Sequence, residues 1–186
     1  MLKRLLGILF LFFSLVFLIY LLMPGPSSIH DFPKLPNSTT SSYEGDTIQV
    51  PDVAAYFSGN YRDITISFYS QNYQAKTKFF FLPMRLNYPP EDAFTKIKDQ
   101  TQSTYLEELT YPFRDSLYIN GFEPLENGLP RYRGADRIEY DGSKYDTKVT
   151  LRYYSSSLVS RLILWLGVNL SVCLLLYIGR RVIKNA

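Results

Sequence analysis

Two uninterrupted apolar runs constrain this chain more than any other feature of it. Residues 5–23, LLGILFLFFSLVFLIYLLM, and residues 162–179, LILWLGVNLSVCLLLYIG, contain no charged side chain. At about 1.5 Å of rise per helical residue, each reaches across a hydrocarbon core of roughly 30 Å. A helix apolar on every face needs either lipid or a large protein core around it, and 186 residues cannot build such a core. Both runs are therefore read as transmembrane helices. Lys3 and Arg4 precede the first, and Arg180, Arg181 and Lys184 follow the second. The positive-inside rule then places both termini in the cytoplasm and everything between the spans outside. A cleaved signal peptide would have an apolar core of about 7–15 residues ending in small side chains. This run ends in Leu-Met-Pro-Gly-Pro, so an uncleaved signal anchor is expected.

The predicted order is a cytoplasmic end (1–4), a span (5–23), a flexible linker (24–44), an extracytoplasmic domain (45–157), a second span (162–179) and a cytoplasmic end (180–186). Asn169 is the one strongly polar side chain at membrane depth. An amide left unsatisfied in hydrocarbon costs several kcal/mol, so it should face the other helix. Ser14 lies at matching depth if the spans are antiparallel and is the expected partner. Gly167 and Ser171 make a small-xxx-small pair that would permit close approach of the helices. Trp165 and Tyr177 fall near the two ends of the second span, where interfacial aromatics are favoured.

Charge separates the domain from the spans. The overall balance is +3, yet residues 44–152 carry more Asp and Glu than Lys and Arg, with the signs interspersed. No basic stripe is available to neutralise a phosphate backbone, which disfavours nucleic acid as a partner. The single cysteine, Cys173, lies in the second span, so the domain holds together without disulfides.

Within the outward region, residues 24–44 are rich in Pro, Ser and Thr without apolar periodicity and read as a linker lifting the domain off the bilayer. His30, the only histidine, falls in it and reads as solvated. Asn37-Ser38-Thr39 fits the N-glycosylation pattern, which matters only in a eukaryotic secretory pathway. Residues 47–57 have strand character, and Asn60 with Asp63 could cap a helix running to about residue 74; Ile64, Ile66 and Phe68 also alternate as a strand would, and the cap favours the helix. Residues 78–82, KFFFL, read as a central strand. Pro89-Pro90-Glu91-Asp92 should open a helix to about residue 102 whose apolar face is Ala93, Phe94 and Ile97 with Thr101. Residues 105–111 and 116–122 suggest a strand pair turning through 112–115, and Gly121 and Gly128 punctuate a loop. The last hairpin turns at Asp141-Gly142-Ser143 into the alternating run ending at Tyr154. A hinge at 155–160 then leads into the second span. The fold class expected is α+β: two transmembrane helices flanking an antiparallel sheet of about four to six strands, with one or two helices on one face.

Signatures of catalysis are missing from the sequence: no Gly-rich phosphate loop, no G-x-S-x-G, no H-E-x-x-H and no Cys/His set. No cofactor or metal is expected. Glu107, Glu108 and Asp115 are the densest carboxylates, but neighbours on a strand point to opposite faces, so the first two cannot form one acid/base pair. A solvated edge suits them better. Arg85, Asn87 and Tyr88 gather at a strand-to-helix junction, where Glu91 and Asp92 favour capping over anion binding. Fourteen of the 16 tyrosines lie outside the spans. Tyr88, Tyr105, Tyr111, Tyr118 and Tyr132 are candidates for an interface, since tyrosine offers apolar area and a hydroxyl with few rotors.

The stretch LNYPPEDAFTKIKDQTQSTYLEELTYPFRDSLYINGFEP, with the later KVTLRYY, resembles uncharacterised two-span membrane proteins from genomes of uncultivated small-genome bacteria. The resemblance covers at most residues 82–179, implies a bacterial cytoplasmic membrane, and brings no activity or functional residues. The functional expectation is a non-enzymatic envelope protein whose partners are the lipid bilayer and another envelope protein or its own copies. A tethered glycan or small-ligand module is the alternative, and an enzyme using carboxylates from distant segments comes third.

Overall fold

The computed structural model describes residues 2–44, 46, 50–97, 100 and 102–185. The chain runs through α1 (Leu2–Leu22), a 3₁₀ turn (Ile29–Asp31), β1 (Thr39–Thr40), β2 (Val53–Ser58) and α2 (Arg62–Thr77). Next come β3 (Met84–Tyr88), a 3₁₀ turn (Pro90–Asp92) leading into α3 (Ala93–Lys96), β4 (Tyr105–Thr110) and β5 (Ser116–Phe122). Two short hairpins follow, β6 (Leu125–Glu126) with β7 (Leu129–Pro130) and β8 (Ile138–Tyr140) with β9 (Ser143–Tyr145). The chain closes with β10 (Thr147–Tyr154) and α4 (Leu158–Asn185). Two units result, one of the terminal helices and one spanning Pro24–Ser155. The terminal helices are long and apolar enough to cross a membrane, over Leu5–Leu22 and Leu158–Arg181.

The second unit is an α+β domain built on a six-stranded antiparallel sheet of order β1-β2-β10-β5-β4-β3. The longest alternating run in the sequence, β10, sits inside it between β2 and β5. Its side chains at 147, 149, 151 and 153 are all buried, as a period of two requires of a strand covered on that face. Register carries the pattern outward: Leu151 lies opposite Ala54 and Ile119, and Ile119 opposite Glu107.

Each face has its own cover, so the two helices of the domain lie on opposite faces rather than sharing one. α2 covers the face of Glu107 and Leu151 with Thr65, Ile66, Tyr69, Tyr73 and Thr77. Tyr73 meets Tyr111 and Phe32 edge-on, at centroid distances of 5.0 and 5.5 Å, the geometry that aromatic quadrupoles favour. On the other face Ile97, Val50 and Val53 form a small cluster against Tyr118. Beside it the buried Asp46 accepts hydrogen bonds from Lys148 Nζ (2.9 Å), Gln100 Nε2 (3.1 Å) and Ser41. Lys148 therefore ends in a paired site although it alternates with the core side chains.

Several expectations of local structure differ from what is found. Residues 78–82 form no strand: α2 ends in a left-handed Lys78 (φ 58°), and Pro83 follows. Of the three consecutive phenylalanines only Phe79 is buried, and the edge strand is the next segment, β3. The helix after Pro89 is shorter than expected, because Ile97 turns extended (φ −127°, ψ 111°) to enter its cluster while Phe94 stays exposed. Thr101 lies outside the described residues, as do residues 47–49 of the first expected strand. The cap expected of Asn60 is absent: Tyr61 holds the N-cap position without a side-chain bond, and Asn60 Nδ2 donates to the Pro36 carbonyl instead. Gly121, expected in a loop, is within β5, where a Cβ would stand 2.0 Å from the Tyr105 ring.

The segment 24–44 is packed rather than loose. Ile29, Phe32 and Leu35 are buried, and β1 pairs with β2. Its anchor is a capping box in which Ser28 Oγ accepts from His30 N–H while Asp31 accepts from Ser27 N, Ser27 Oγ and Ser28 N. These donors hold the Asp31 carboxyl below its ordinary value of 3.8. A group with a depressed folded pKa stabilises above its unfolded pKa and loses that contribution as pH falls through the folded value. Asp31→Asn should cost about 1 kcal/mol at neutral pH, as loss of a cap does. Thermal unfolding at a series of pH values should show the gap between wild type and variant closing below about pH 4.

Candidate functional site

One buried carboxylate organises the end of the domain where α2 begins. Glu107 on β4 is fully buried and receives Arg62 Nε from the first turn of α2 at 2.6 Å, together with both forks of the Arg85 guanidinium from β3. Arg62 Nη2 also donates to Asn87 Oδ1 (2.9 Å), and its guanidinium lies 5.1 Å from the Tyr105 ring centroid. A carboxylate buried alone would cost several kcal/mol, and two guanidiniums offset that cost only because the geometry is close and bidentate. Glu108 points the other way, as alternation demands, and accepts from Ser116 and from Tyr88 Oη (2.6 Å). That bond is the main cause pushing the Tyr88 phenol up to about 12. Both glutamates are buried rather than a solvated edge, because β3 pairs alongside β4 and makes it an interior strand.

Beside Glu107 opens a cleft of about 570 Å³, lined by Tyr61, Arg62, Asp63, Arg85, Glu123, Glu126, Asn127 and Arg131. Its floor includes Glu123, whose Oε1 accepts the Arg62 backbone N–H at 2.6 Å and whose Oε2 accepts from Arg131 at 3.3 Å. Glu123 thus performs from a distance the capping that α2 lacks locally, an anion at the positive end of a helix dipole. Burial nonetheless raises its carboxyl above the ordinary value. The hairpin of β6 and β7 supplies Glu126, which pairs with Arg131 at 3.3 Å. It turns at Asn127 and Gly128, both at positive φ (51° and 79°), the requirement that Asn-Gly meets at least cost. Carboxylates from separate segments therefore share one cleft, but the two on the hairpin side are already acceptors for Arg131. The chemistry on offer is paired charges of both signs, suited to holding a small polar ligand. Among the described residues no group of three His, Cys, Asp or Glu side chains could hold a metal ion.

The tyrosines divide. Tyr105 and Tyr111 are buried under α2 and so present no ring to a partner; burial pushes both phenols up. Tyr88 and Tyr118 are half-buried and bracket Lys96, whose Nζ lies 5.5 and 5.6 Å from their centroids. Tyr132 alone of the five is well exposed. The more open surface is the outer edge of β3, where Met84, Arg85, Leu86 and Asn87 are all exposed.

In the helical unit the contacts are antiparallel: Ser14 meets Trp165 and Asn169, and Leu21 meets Arg161. Ser14 Oγ donates to Asn169 Oδ1 at 2.7 Å, Asn169 Nδ2 to the Trp165 carbonyl at 2.7 Å, and Trp165 Nε1 to the Ser14 carbonyl at 3.0 Å. Trp165 is thus part of the helix contact. Arg161 Nη1 donates to the Leu21 carbonyl (3.2 Å), placing a cation at the negative end of α1. Gly167 and Ser171 stand about 200° round the helix from Trp165 and Asn169 and take no part; a Cβ at Gly167 would meet nothing within 4 Å. α4 begins earlier than expected, since Ser157 Oγ caps the Ser160 N–H (3.0 Å), leaving a hinge of residues 155–157.

Comparison with protein-family models, curated proteins and solved structures finds no match to this chain.

Three stability predictions rest on the partner geometry. Glu107→Gln should cost about 1.5–3 kcal/mol, because Arg62 and Arg85 are part-exposed and can rehydrate. The double variant Arg62→Met, Arg85→Met leaves the carboxylate buried without its guanidiniums and should cost more, about 3–5 kcal/mol, in thermal unfolding of the detergent-extracted protein. In the helix pair, Asn169→Leu should weaken association by about 0.6–2 kcal/mol, measured by steric trapping of the two helices in bicelles.

Proposed function

We propose that this chain is a non-enzymatic protein of the cell membrane whose outward domain binds another envelope protein along the edge of β3. In this reading α1 and α4 span the bilayer, both termini are cytoplasmic, and the unit Pro24–Ser155 is extracytoplasmic. Support comes from the length and apolar character of the two helices and from the cations outside both apolar runs.

The observation that carries the binding role is the β3 edge. Sheet edges are templates for further pairing, and proteins blunt those they do not use. The opposite edge, β1, is only two residues long, whereas β3 offers five with Met84 and Leu86 outward. Strand addition uses such an edge: main-chain hydrogen bonds give affinity and alternate side chains give specificity. A second copy of this chain fits less well. Antiparallel pairing of β3 with itself turns the copy end for end, so its chain exits would point away from the membrane that anchors the first.

Leu86→Lys tests this reading, because it places a charge on the edge at a side chain already exposed. Wild type extracted from its own membrane in mild detergent should carry a second protein in native mass spectrometry; the variant should lose it with an unchanged melting temperature. A wild-type chain recovered only as a bare monomer would sink the proposal. The cleft at Glu123 and Arg131 favours a second reading, a module for a small ligand with charges of both signs. It predicts a thermal shift with amino acids or similar zwitterions that Arg131→Ala abolishes, and the absence of any shift removes it.

A further inference from the structure

The end of the domain through which the chain enters and leaves also presents a group of exposed apolar side chains. β3, β4, β5 and β10 finish level there: Met84 lies opposite Thr110, Thr110 opposite Ser116, and Ser116 opposite Tyr154. Ser155, the last residue of the unit, is one step past this row. Pro24, the first, is held at the same end by Arg114 Nη2, which donates to its carbonyl at 3.2 Å. Projecting beyond the row is the turn at residues 78–83. Tyr111 Oη donates to the Phe81 carbonyl (3.1 Å) and fixes the turn, while Phe79 folds in against the Tyr111 ring. Phe80 is then left 93% exposed, Leu82 53% and Met84 52%, with the exposed Lys76 and Lys78 beside them. The charged cleft is at the other end of the sheet, since α2 begins at the cleft and ends at this turn.

We infer that this end docks on lipid. Phe80 and Leu82 enter the headgroup–acyl boundary of the bilayer, and Lys76 and Lys78 face anionic headgroups. The inference rests on the two-span reading above. Chain length selects lipid over a protein occupant: residues 155–157 can extend at most about 11 Å, so the exits and the turn beside them stay close to the outer end of a span. Composition agrees, because aromatic and aliphatic side chains flanked by lysine are what interfacial anchors use. The turn itself needs no phenylalanine at position 80. Lysine takes the left-handed residue, and the Tyr111 hydroxyl fixes the backbone.

The test uses the full chain in phospholipid vesicles with a nitroxide at one position at a time: native Cys173, or Phe80→Cys or Leu129→Cys in a Cys173→Ser background. Leu129 is also well exposed, at 70%, but lies on the hairpin at the cleft end. Relative collision with oxygen and with a water-soluble nickel chelate reports depth. Position 80 should favour oxygen several-fold over position 129 and place about 5–10 Å into the boundary. Lys76→Glu with Lys78→Glu should make it shallower in anionic vesicles and leave it unchanged in neutral ones. A label at 80 as open to nickel as the one at 129, with Cys173 in lipid, overturns the docking alone. Shielding of position 80 from both reagents means protein cover and also overturns it. A water-exposed Cys173 overturns the two-span reading and the docking together.

Discussion

The buried carboxylate of Glu107 is the constraint around which one whole end of the domain is arranged. Leaving it unpaired would cost several kcal/mol, so the chain must deliver guanidiniums to it. It draws one from the first turn of α2 and one from β3, 45 and 22 residues earlier in the chain than the carboxylate itself. That fixes where α2 starts and keeps β3 on the sheet edge. With α2 placed, its first amide requires an acceptor, and Glu123 supplies it, which in turn holds Arg131 and the hairpin behind it. The cleft is the space these charges leave between them. Its polarity follows from the needs of the fold, which is why its carboxylates are already engaged.

At the opposite end of α2 the ordering agent is aromatic. Tyr73, Tyr111, Tyr153 and Phe32 meet edge-on beneath the helix, and Tyr153 Oη reaches the Pro26 carbonyl at 2.9 Å. These contacts account for much of the tyrosine excess as core, with ring area filling the gap between helix and sheet and hydroxyls reaching backbone at its margin. They also explain why the segment after residue 23 is ordered despite its loop-like composition: Phe32 fills a place in that aromatic layer.

Periodicity made the sheet legible where it was undisturbed. β10, β4, β5 and the Asp141-Gly142 turn all follow from alternation and turn chemistry visible in the residues. The pairing of Ser14 with Asn169 followed from matching depth and the cost of a lone amide. What local pattern could not show was which charges would be buried. Glu107 and Glu108 read as a solvated edge because alternation sets them on opposite faces and says nothing of which strand lies alongside; with β3 on the edge, β4 becomes interior. The Asn127-Gly128 dipeptide is a hairpin signal as strong as Asp141-Gly142, and it sets Glu126 opposite Leu129 with Arg131 just past the end of the returning strand. Segment 24–44 is harder to read for another reason: Ile29, Phe32 and Leu35 recur every three residues, a spacing that matches neither a strand nor a helix face and is set among Pro and Ser.

The sheet order has a consequence for how the domain comes into being. β10 occupies an interior position yet is the last strand of the sheet to leave the ribosome, with only three residues between it and α4. Until it arrives, β1–β2 and β3–β4–β5 are separate ribbons, each with an unfilled edge where β10 will lie. Folding is thus withheld until nearly all of the domain has been made, and the keystone is delivered just ahead of the final helix. Closure of the sheet and placement of α4 become consecutive events on one short piece of chain, so anything that delays that helix prolongs the life of two half-built, edge-exposed pieces.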